Sequence, residues 1–242
     1  MLGLGNSICA NHYPGGWNPS NLGNKLKVWL QFNTGISTTV IDDQDQVTVW
    51  ADQSGNGNNV APTVTNNKGE MPRHMADGTV RFNATGDSLI FTSALSLGEF
   101  AIYWKSRWGN TVAGTGADVP FEGTSQDFIK LASPTEIRIK INNQTREDAT
   151  INEITDDGTT PVILGIERAS NGDLAAYKDN VAGEWSTSSG KDGNTPLSGN
   201  NFDITQLGDG VDQTDWFEVV ICNDALSAAE RNELYNYLVN VE

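Results

Sequence analysis

Val49-Trp50-Ala51-Asp52-Gln53-Ser54-Gly55-Asn56-Gly57-Asn58 joins the end of an apolar segment to a run of turn-forming residues. Trp50 suits a core between two sheets, because a single indole fills much of one layer. Asp52 and Ser54 can hydrogen-bond to the backbone around them, and the two glycines can take left-handed conformations. The stretch therefore predicts a buried strand that ends in a structural turn rather than in an active site.

Short apolar segments of the same kind recur on both sides of this stretch. The alternation is cleanest at Glu136-Ile137-Arg138-Ile139-Lys140-Ile141, where isoleucine takes one face of a strand and charged residues the other. About a dozen such segments, at intervals of roughly ten residues, are typical of a two-sheet antiparallel sandwich or jelly roll. The side chains expected to be mainly buried in it are Trp29, Trp50, Phe82, Ile102, Ile139, Ile163 and Val219.

One short helix is predicted after the last strand. Ser227-Ala228-Ala229-Glu230 is a capping box, in which the serine hydroxyl and the glutamate carboxylate accept hydrogen bonds from backbone N–H groups. Leu234, Leu238 and Val241 then recur on one helical face. The fold class expected from the pattern is therefore all-β, with one short C-terminal helix.

The charge of the chain limits its partners. Among its 242 residues, 31 Asp and Glu stand against 15 Lys and Arg, a formal charge of −16. A field of that sign repels phosphate, which argues against nucleic acids and anionic membranes as partners. Hydrophobic residues make up 37% of the chain, yet they form no run as long as a membrane span.

Residues 1–24 are crowded with Gly, Pro and Asn and are expected to form an extended N-terminal arm, followed by a single domain over residues 25–242. The first residues lack the basic and apolar regions of a signal peptide, so we expect synthesis in the cytoplasm. The arm could dock into a neighbouring subunit or pack across its own sandwich. The apolar anchors that it offers are Leu2, Leu4, Ile8, Tyr13 and Trp17.

Three aspartates, Asp209, Asp212 and Asp215, are expected to share one loop and present the hard oxygen ligands that calcium prefers. They make Ca²⁺ the ion that the chain would hold, and the alternative is a solvated acidic loop. Cys9 and Cys222 are too few for a disulfide framework, and they would pair only if the first and last strands were neighbours.

Sugar binding on a sandwich calls for an aromatic platform with a polar amide beside it. Trp108 with Asn110, and Trp185 further along the chain, are the candidates for such a glycan site, and Trp17 is a further one. Each tryptophan could instead belong to the core or to a protein interface. The sequence leaves these alternatives open.

Four stretches of the chain resemble laminin-G-like, concanavalin A-like domains of the sort found in bacterial surface proteins and tailed-phage virion proteins. They are Leu26 to Phe32, Val49 to Asn58, Gly165 to Asn180, and Phe217 to Arg231 followed by Tyr237-Leu238. The second and fourth are the most specific, while Asp179-Asn180-Val181 departs from the usual Asn-Gly turn. The resemblance implies a concanavalin A-like jelly roll over most of the chain.

The resemblance leads us to expect a non-enzymatic structural protein of the virion surface, as a capsid decoration or a tail or fibre component. Its partners would be other virion proteins or copies of itself. A glycan-binding module that attaches to surface polysaccharide is the alternative, and a glycoside hydrolase is the third hypothesis. These classes share one fold, so only the site can separate them.

Catalysis is not expected, because the carboxylate pair of the glucanases is missing. Those enzymes carry Glu-x-Asp-x-x-Glu on one strand, which directs both glutamates to one face. Glu147-Asp148 with Glu153 has the wrong interval, and Asp215 and Glu218 should face opposite sides of a strand. His12 and His74 lie in no recognisable context for a nucleophile.

Overall fold

The computed structural model describes residues 16–67, 69–83, 86–109, 118–123, 127–142, 146–154, 157–186, 193–195, 197, 200–209 and 213–242. The helical elements are a 3-10 helix at Pro19–Lys25 and α1 at Ala228–Val239. The strands are β1 Leu26–Leu30, β2 Ile36–Ile41, β3 Gln44–Trp50, β4 Val60–Ala61, β5 Arg73–His74, β6 Val80–Phe82, β7 Leu89–Leu97, β8 Phe100–Trp108, β9 Asp118–Glu122, β10 Phe128–Ser133, β11 Glu136–Lys140, β12 Glu147–Thr150, β13 Pro161–Arg168, β14 Leu174–Lys178, β15 Val181–Ala182, β16 Glu184–Trp185, β17 Phe202–Asp209 and β18 Thr214–Cys222.

The strands form two antiparallel layers. The first layer runs β15-β14-β13-β8-β18, and β18 then pairs with β1 along one part of its length and with β6 along another. The second layer runs β2-β3-β4-β7-β17-β9-β10-β11-β12-β16. The short strand β5 links the layers by pairing with both β3 and β6. The order confirms the antiparallel sandwich that the sequence predicts.

Strand alternation sorts the apolar side chains into two clusters. In β8, Phe100, Ile102 and Trp104 point into the main core between the layers, while Ala101 and Tyr103 point into a second cluster beneath α1. A strand covered on both faces needs apolar residues at nearly every position. All seven predicted core residues are buried, with exposures of 9% or less.

The helix α1 begins as predicted. Ser227 Oγ accepts a hydrogen bond from the N–H of Glu230, and the Glu230 carboxylate accepts one from the N–H of Ser227. Leu234, Tyr237 and Leu238 are buried against the outer face of the first layer. The helix therefore completes the second apolar cluster.

A β-bulge in β18 changes the side on which two carboxylates lie. Trp216 pairs with Ser106 and Glu218 with Lys105, so that Phe217 is an extra residue in the strand. Strict alternation would place Asp215 and Glu218 on opposite faces, and this expectation is wrong. The bulge returns both to the outer face, because one inserted residue inverts the alternation.

The end of the expected arm is not extended. Pro19–Lys25 form a 3-10 helix capped by Asn18, and Leu22 is 5% exposed. Trp17 packs on Tyr237 of α1, with ring centroids 6.2 Å apart. The apolar contacts with α1 make residues 17–24 part of the domain, which corrects the prediction for Trp17. Leu2, Leu4, Ile8, Cys9 and Tyr13 lie outside the described residues, and Cys222 is buried with a free thiol.

In the part of the chain that the structure describes, no helix has the length and hydropathy of a membrane span.

Candidate functional site

Side chains, rather than a strand, cover the outer side of β1. Nδ2 of Asn58 donates to the carbonyl of residue 27 at 2.8 Å, and Nδ2 of Asn56 donates to those of residues 26 and 27 at 2.9 and 3.2 Å. The amide of Asn223, oriented by its neighbours, donates to the carbonyls of residues 25 and 24 at 2.8 and 3.3 Å. The carbonyls of residues 26 and 27 belong to β1, and those of residues 24 and 25 to the 3-10 helix before it. The side-chain amides thus act as hydrogen-bond donors at the edge of the layer, where no further strand among the described residues pairs with β1.

Asp52 organises the turn that supplies two of these asparagines. Its Oδ1 accepts the N–H groups of Trp29 and Ser54 at 2.9 and 2.8 Å, and its Oδ2 accepts that of Asn58 at 3.0 Å. Gly55 and Gly57 take positive φ of 86° and 76°. The prediction of a structural turn is thus confirmed, and the turn also fixes the side chains of a surface.

Two cavities that share Asn223 lie along this surface, and we call them together the asparagine groove. One has a volume of about 410 Å³ and is lined by Lys27, Asn56, Asn58, Ala94, Leu95, Ser96, Leu97 and Asn223. The other has a volume of about 540 Å³ and is lined by Asn24, Lys25, Glu99, Ser170, Asn223 and Asp224. Most of these side chains are polar, and β7 adds a small apolar patch.

A carboxylate pair lies in the larger cavity of the groove. Glu99 and Asp224 both line this cavity; burial raises the pKa of Glu99, and the neighbouring side chain of Asp224 and its charge raise it further. Lys25 stands beside them, with its Nζ 3.6 Å from Asp224 and 3.0 Å from Glu230. This end of the groove therefore carries negative charge that one ammonium shared with Glu230 balances in part.

The predicted aromatic platform is not formed by Trp108. That side chain is fully buried in the main core, and its Nε1 donates to Ser106 Oγ at 3.0 Å. The prediction that Trp108 binds a sugar is wrong, because its position in β8 continues the inward register of Trp104. Asn110 lies outside the described residues.

Trp185 keeps part of its surface in solvent. It is half-buried and packs against the main core from β16. Gly193 lies so close to the indole that a Cβ added there would come within 2.5 Å of it. The approach covers part of the ring, and the structure does not bring Trp185 to the asparagine groove.

The predicted acidic loop is divided between two strands. Asp215 lies in β18, is 4% exposed, and accepts hydrogen bonds from both Arg81 and Arg107. The two guanidinium groups already compensate its charge, so Asp215 is not the loop ligand that the sequence suggests. Asp209 ends β17, and Asp212 lies outside the described residues. Within the described ranges, no three His, Cys, Asp or Glu side chains come close enough to hold a metal ion.

A further cavity, of about 510 Å³, lies between the first layer and α1. Lys105 on its floor donates to the carbonyls of Val239 and Val241 at 3.2 and 2.6 Å. Arg107 on the same floor binds Asp77 and Asp215. Both cations are therefore already engaged in contacts that hold the fold together.

No family model matches the chain, and no curated protein matches it in sequence. Solved structures match it in fold. The binding domain of botulinum neurotoxin serotype D aligns with a TM-score of 0.60 at 11% identity, over 88% of this chain and 51% of the toxin domain. A serotype D ligand-binding domain in complex with N-acetylneuraminic acid aligns with a TM-score of 0.57 at 12% identity, over 90% of this chain and 52% of that one.

The Trypanosoma rangeli sialidase in complex with sialic acid aligns with a TM-score of 0.58 at 13% identity, over 95% of this chain and 35% of the sialidase. This chain thus spans about half the length of the toxin domains and about a third of the sialidase. With the strand order above, these likenesses show a concanavalin A-like jelly roll, the fold of lectin-like domains. At such low identities they show the fold and not the ligand.

Proposed function

We propose that this chain is a non-catalytic, lectin-like module that binds a glycan in the asparagine groove. The observation that carries the proposal is the set of asparagines whose amide nitrogens are fixed on backbone carbonyls before any ligand arrives. Polar groups held in place lose little entropy when they bind a ligand. The exposed side chain of Ala94 in β7 beside them supplies a small apolar contact for the carbon face of a sugar ring.

The proposed absence of catalysis rests on the missing carboxylate pattern. Retaining glycosidases hold two carboxyls about 5–5.5 Å apart and inverting enzymes hold them further apart. The Glu-x-Asp-x-x-Glu pattern that places such a pair on one strand of the glucanases does not occur in this chain. Incubation with laminarin, agar or alginate should release no reducing ends, and release that a Glu99→Gln substitution abolishes would refute this part of the proposal.

A glycan microarray with the purified chain tests the binding directly. Ala94→Trp should fill the smaller cavity and abolish the array signals of the wild-type chain, because Ala94 is exposed and lines that cavity. Thr38→Trp is the matched control, since Thr38 is exposed on β2 and does not line the groove. Binding that survives Ala94→Trp, or no binding by the wild-type chain, would contradict the proposal.

We also propose, from the sequence resemblance, that the chain is displayed on a virion surface. A glycan-binding module displayed on a particle would attach it to host or environmental polysaccharide, so the two proposals are compatible. Mass spectrometry of purified particles from the source should find the chain in stoichiometric amounts. Its absence from the particles would remove the virion proposal and leave glycan binding untouched.

A further inference from the structure

Three of the four asparagines that line the groove turn the same end of the amide towards the protein. Asn56, Asn58 and Asn223 each direct Nδ2 at the carbonyls of residues 24–27, at 2.8 to 3.3 Å. An asparagine amide has donors only on nitrogen and acceptors only on oxygen. Asn56 and Asn223 each direct both N–H groups at carbonyls and leave the carbonyl oxygen for a ligand, and Asn58 leaves its oxygen together with one N–H. The three oxygens are acceptors fixed on the surface of the groove.

The charges around the groove reinforce this selection. Glu99 and Asp224 lie together in the larger cavity, and Lys25 divides its ammonium between Asp224 and Glu230. Lys27 is a second cation of the groove. The two lysines stand against three carboxylates, those of Glu99, Asp224 and Glu230, and against a molecular charge of −16.

We infer that, if the groove is the glycan site proposed above, it selects neutral glycans through their hydroxyl donors and rejects acidic ones. A hydroxyl can donate to the amide oxygens, whereas a carboxylate or sulfate has no proton to donate and would face oxygen atoms across a desolvated contact. The negative potential adds a repulsion that acts before contact. The ligand class thus differs from the sialic acid of the toxin and sialidase complexes that share the fold.

Glycan pairs whose second member carries an additional acidic sugar or acidic group test the inference. Lactose against 3′-sialyllactose, and cello-oligosaccharides against their glucuronate counterparts, are measured by calorimetry with the wild-type chain. The neutral member should bind at least about tenfold more tightly in each pair that binds at all. Its affinity should change less than about twofold between about 50 and 500 mM NaCl, because no ion pair is screened.

The double substitution Glu99→Gln and Asp224→Asn removes the two charges and keeps the shapes of both side chains. It should raise the affinity for the acidic member and so narrow the ratio between the affinities for the neutral and the acidic glycan. Asp45→Asn, at an exposed acid outside the groove, should leave this affinity ratio unchanged. A wild-type chain that binds the acidic member as tightly as the neutral one would overturn the inference but not the proposed function. If neither member of any pair binds, nor any glycan on the array, the proposed function itself fails.

Discussion

Glu218 is an ionisable side chain that is fully buried. It is 0% exposed on the outer face of β18 and accepts hydrogen bonds from Trp29 Nε1 at 2.5 Å and from the N–H of Phe32 at 3.3 Å. The hydroxyl of Tyr237 in α1 is a further partner, and Lys105 acts on it through its charge. Burial outweighs these contacts and raises the pKa of Glu218 to about 7.

This raised pKa predicts a stability that falls as the pH rises. The native state favours the protonated form of Glu218, so its contribution is complete below the ordinary pKa of 4.5 and is lost as the pH passes through about 7. The free energy of unfolding of the wild-type chain, relative to Glu218→Gln, should therefore fall between pH 5 and pH 9 by up to about 3 kcal/mol. Urea titrations of both proteins measure it, and a constant difference would contradict the assignment.

Trp50 is the single side chain on which the main core most depends. It is fully buried, and its Nε1 donates to the carbonyl of Gln31 at 3.1 Å. Trp50→Ala should lower the free energy of unfolding by about 3–5 kcal/mol, because the cavity cannot collapse in a rigid sandwich. Val40→Ala, at a site 67% exposed, should change it by less than about 0.5 kcal/mol in the same denaturation experiment. Equal effects would place Trp50 outside the core.

At the scale of elements, the turn after β3 replaces a strand beside β1. The residues of this turn indicate its local geometry, and the observed bonds of Asp52 and Ser54 confirm it. The sequence does not indicate that Asn56 and Asn58 would reach the carbonyls of residues 26 and 27, because that contact depends on the packing of two distant segments. The groove was missed for the same reason, since Glu99 and Asp224 meet only in the folded chain.

Asp52→Ala tests how much this turn holds β1 in place. The substitution removes the acceptor of the N–H groups of Trp29, Ser54 and Asn58. We expect a loss of about 2–3 kcal/mol in the free energy of unfolding, the cost of partly buried donors left without a charged acceptor. Asp45→Ala, at an exposed acid of β3, is the control and should be nearly neutral in thermal denaturation. Similar melting temperatures for both variants would mean that β1 does not depend on the turn.

Alternation along strands predicted more of the fold than of the site. It identified Ile137 and Ile139 as core residues, and it also contained the signal that was overlooked at Trp108, which follows Ile102 and Trp104 in the same register. It failed at Phe217, because nothing in the sequence marks a residue as the extra one of a bulge. The sides taken by Asp215 and Glu218 could therefore not be predicted.

At the scale of the whole molecule, the N-terminal residues give a prediction about assembly. Trp17 and Leu22 already pack on the domain, so an assembly contact made by the expected arm would come from the residues before them. Deleting residues 2–15 should leave the melting temperature nearly unchanged and abolish any oligomer formed by the full chain. Size-exclusion chromatography with light scattering measures the oligomer. A sharp drop in melting temperature with the oligomer intact would assign these residues to their own domain.

The most direct test of glycan binding is to identify the residues that a neutral glycan contacts. Titration of the ¹⁵N-labelled protein with the strongest neutral ligand from the array, followed by heteronuclear NMR, reports on each backbone and asparagine amide. We predict shifts centred on Asn56, Asn58, Ser96 and Asn223, with little change beneath α1 at Lys105. Shifts centred on the cavity beneath α1 or on Trp185, with the asparagine groove unperturbed, would contradict the account.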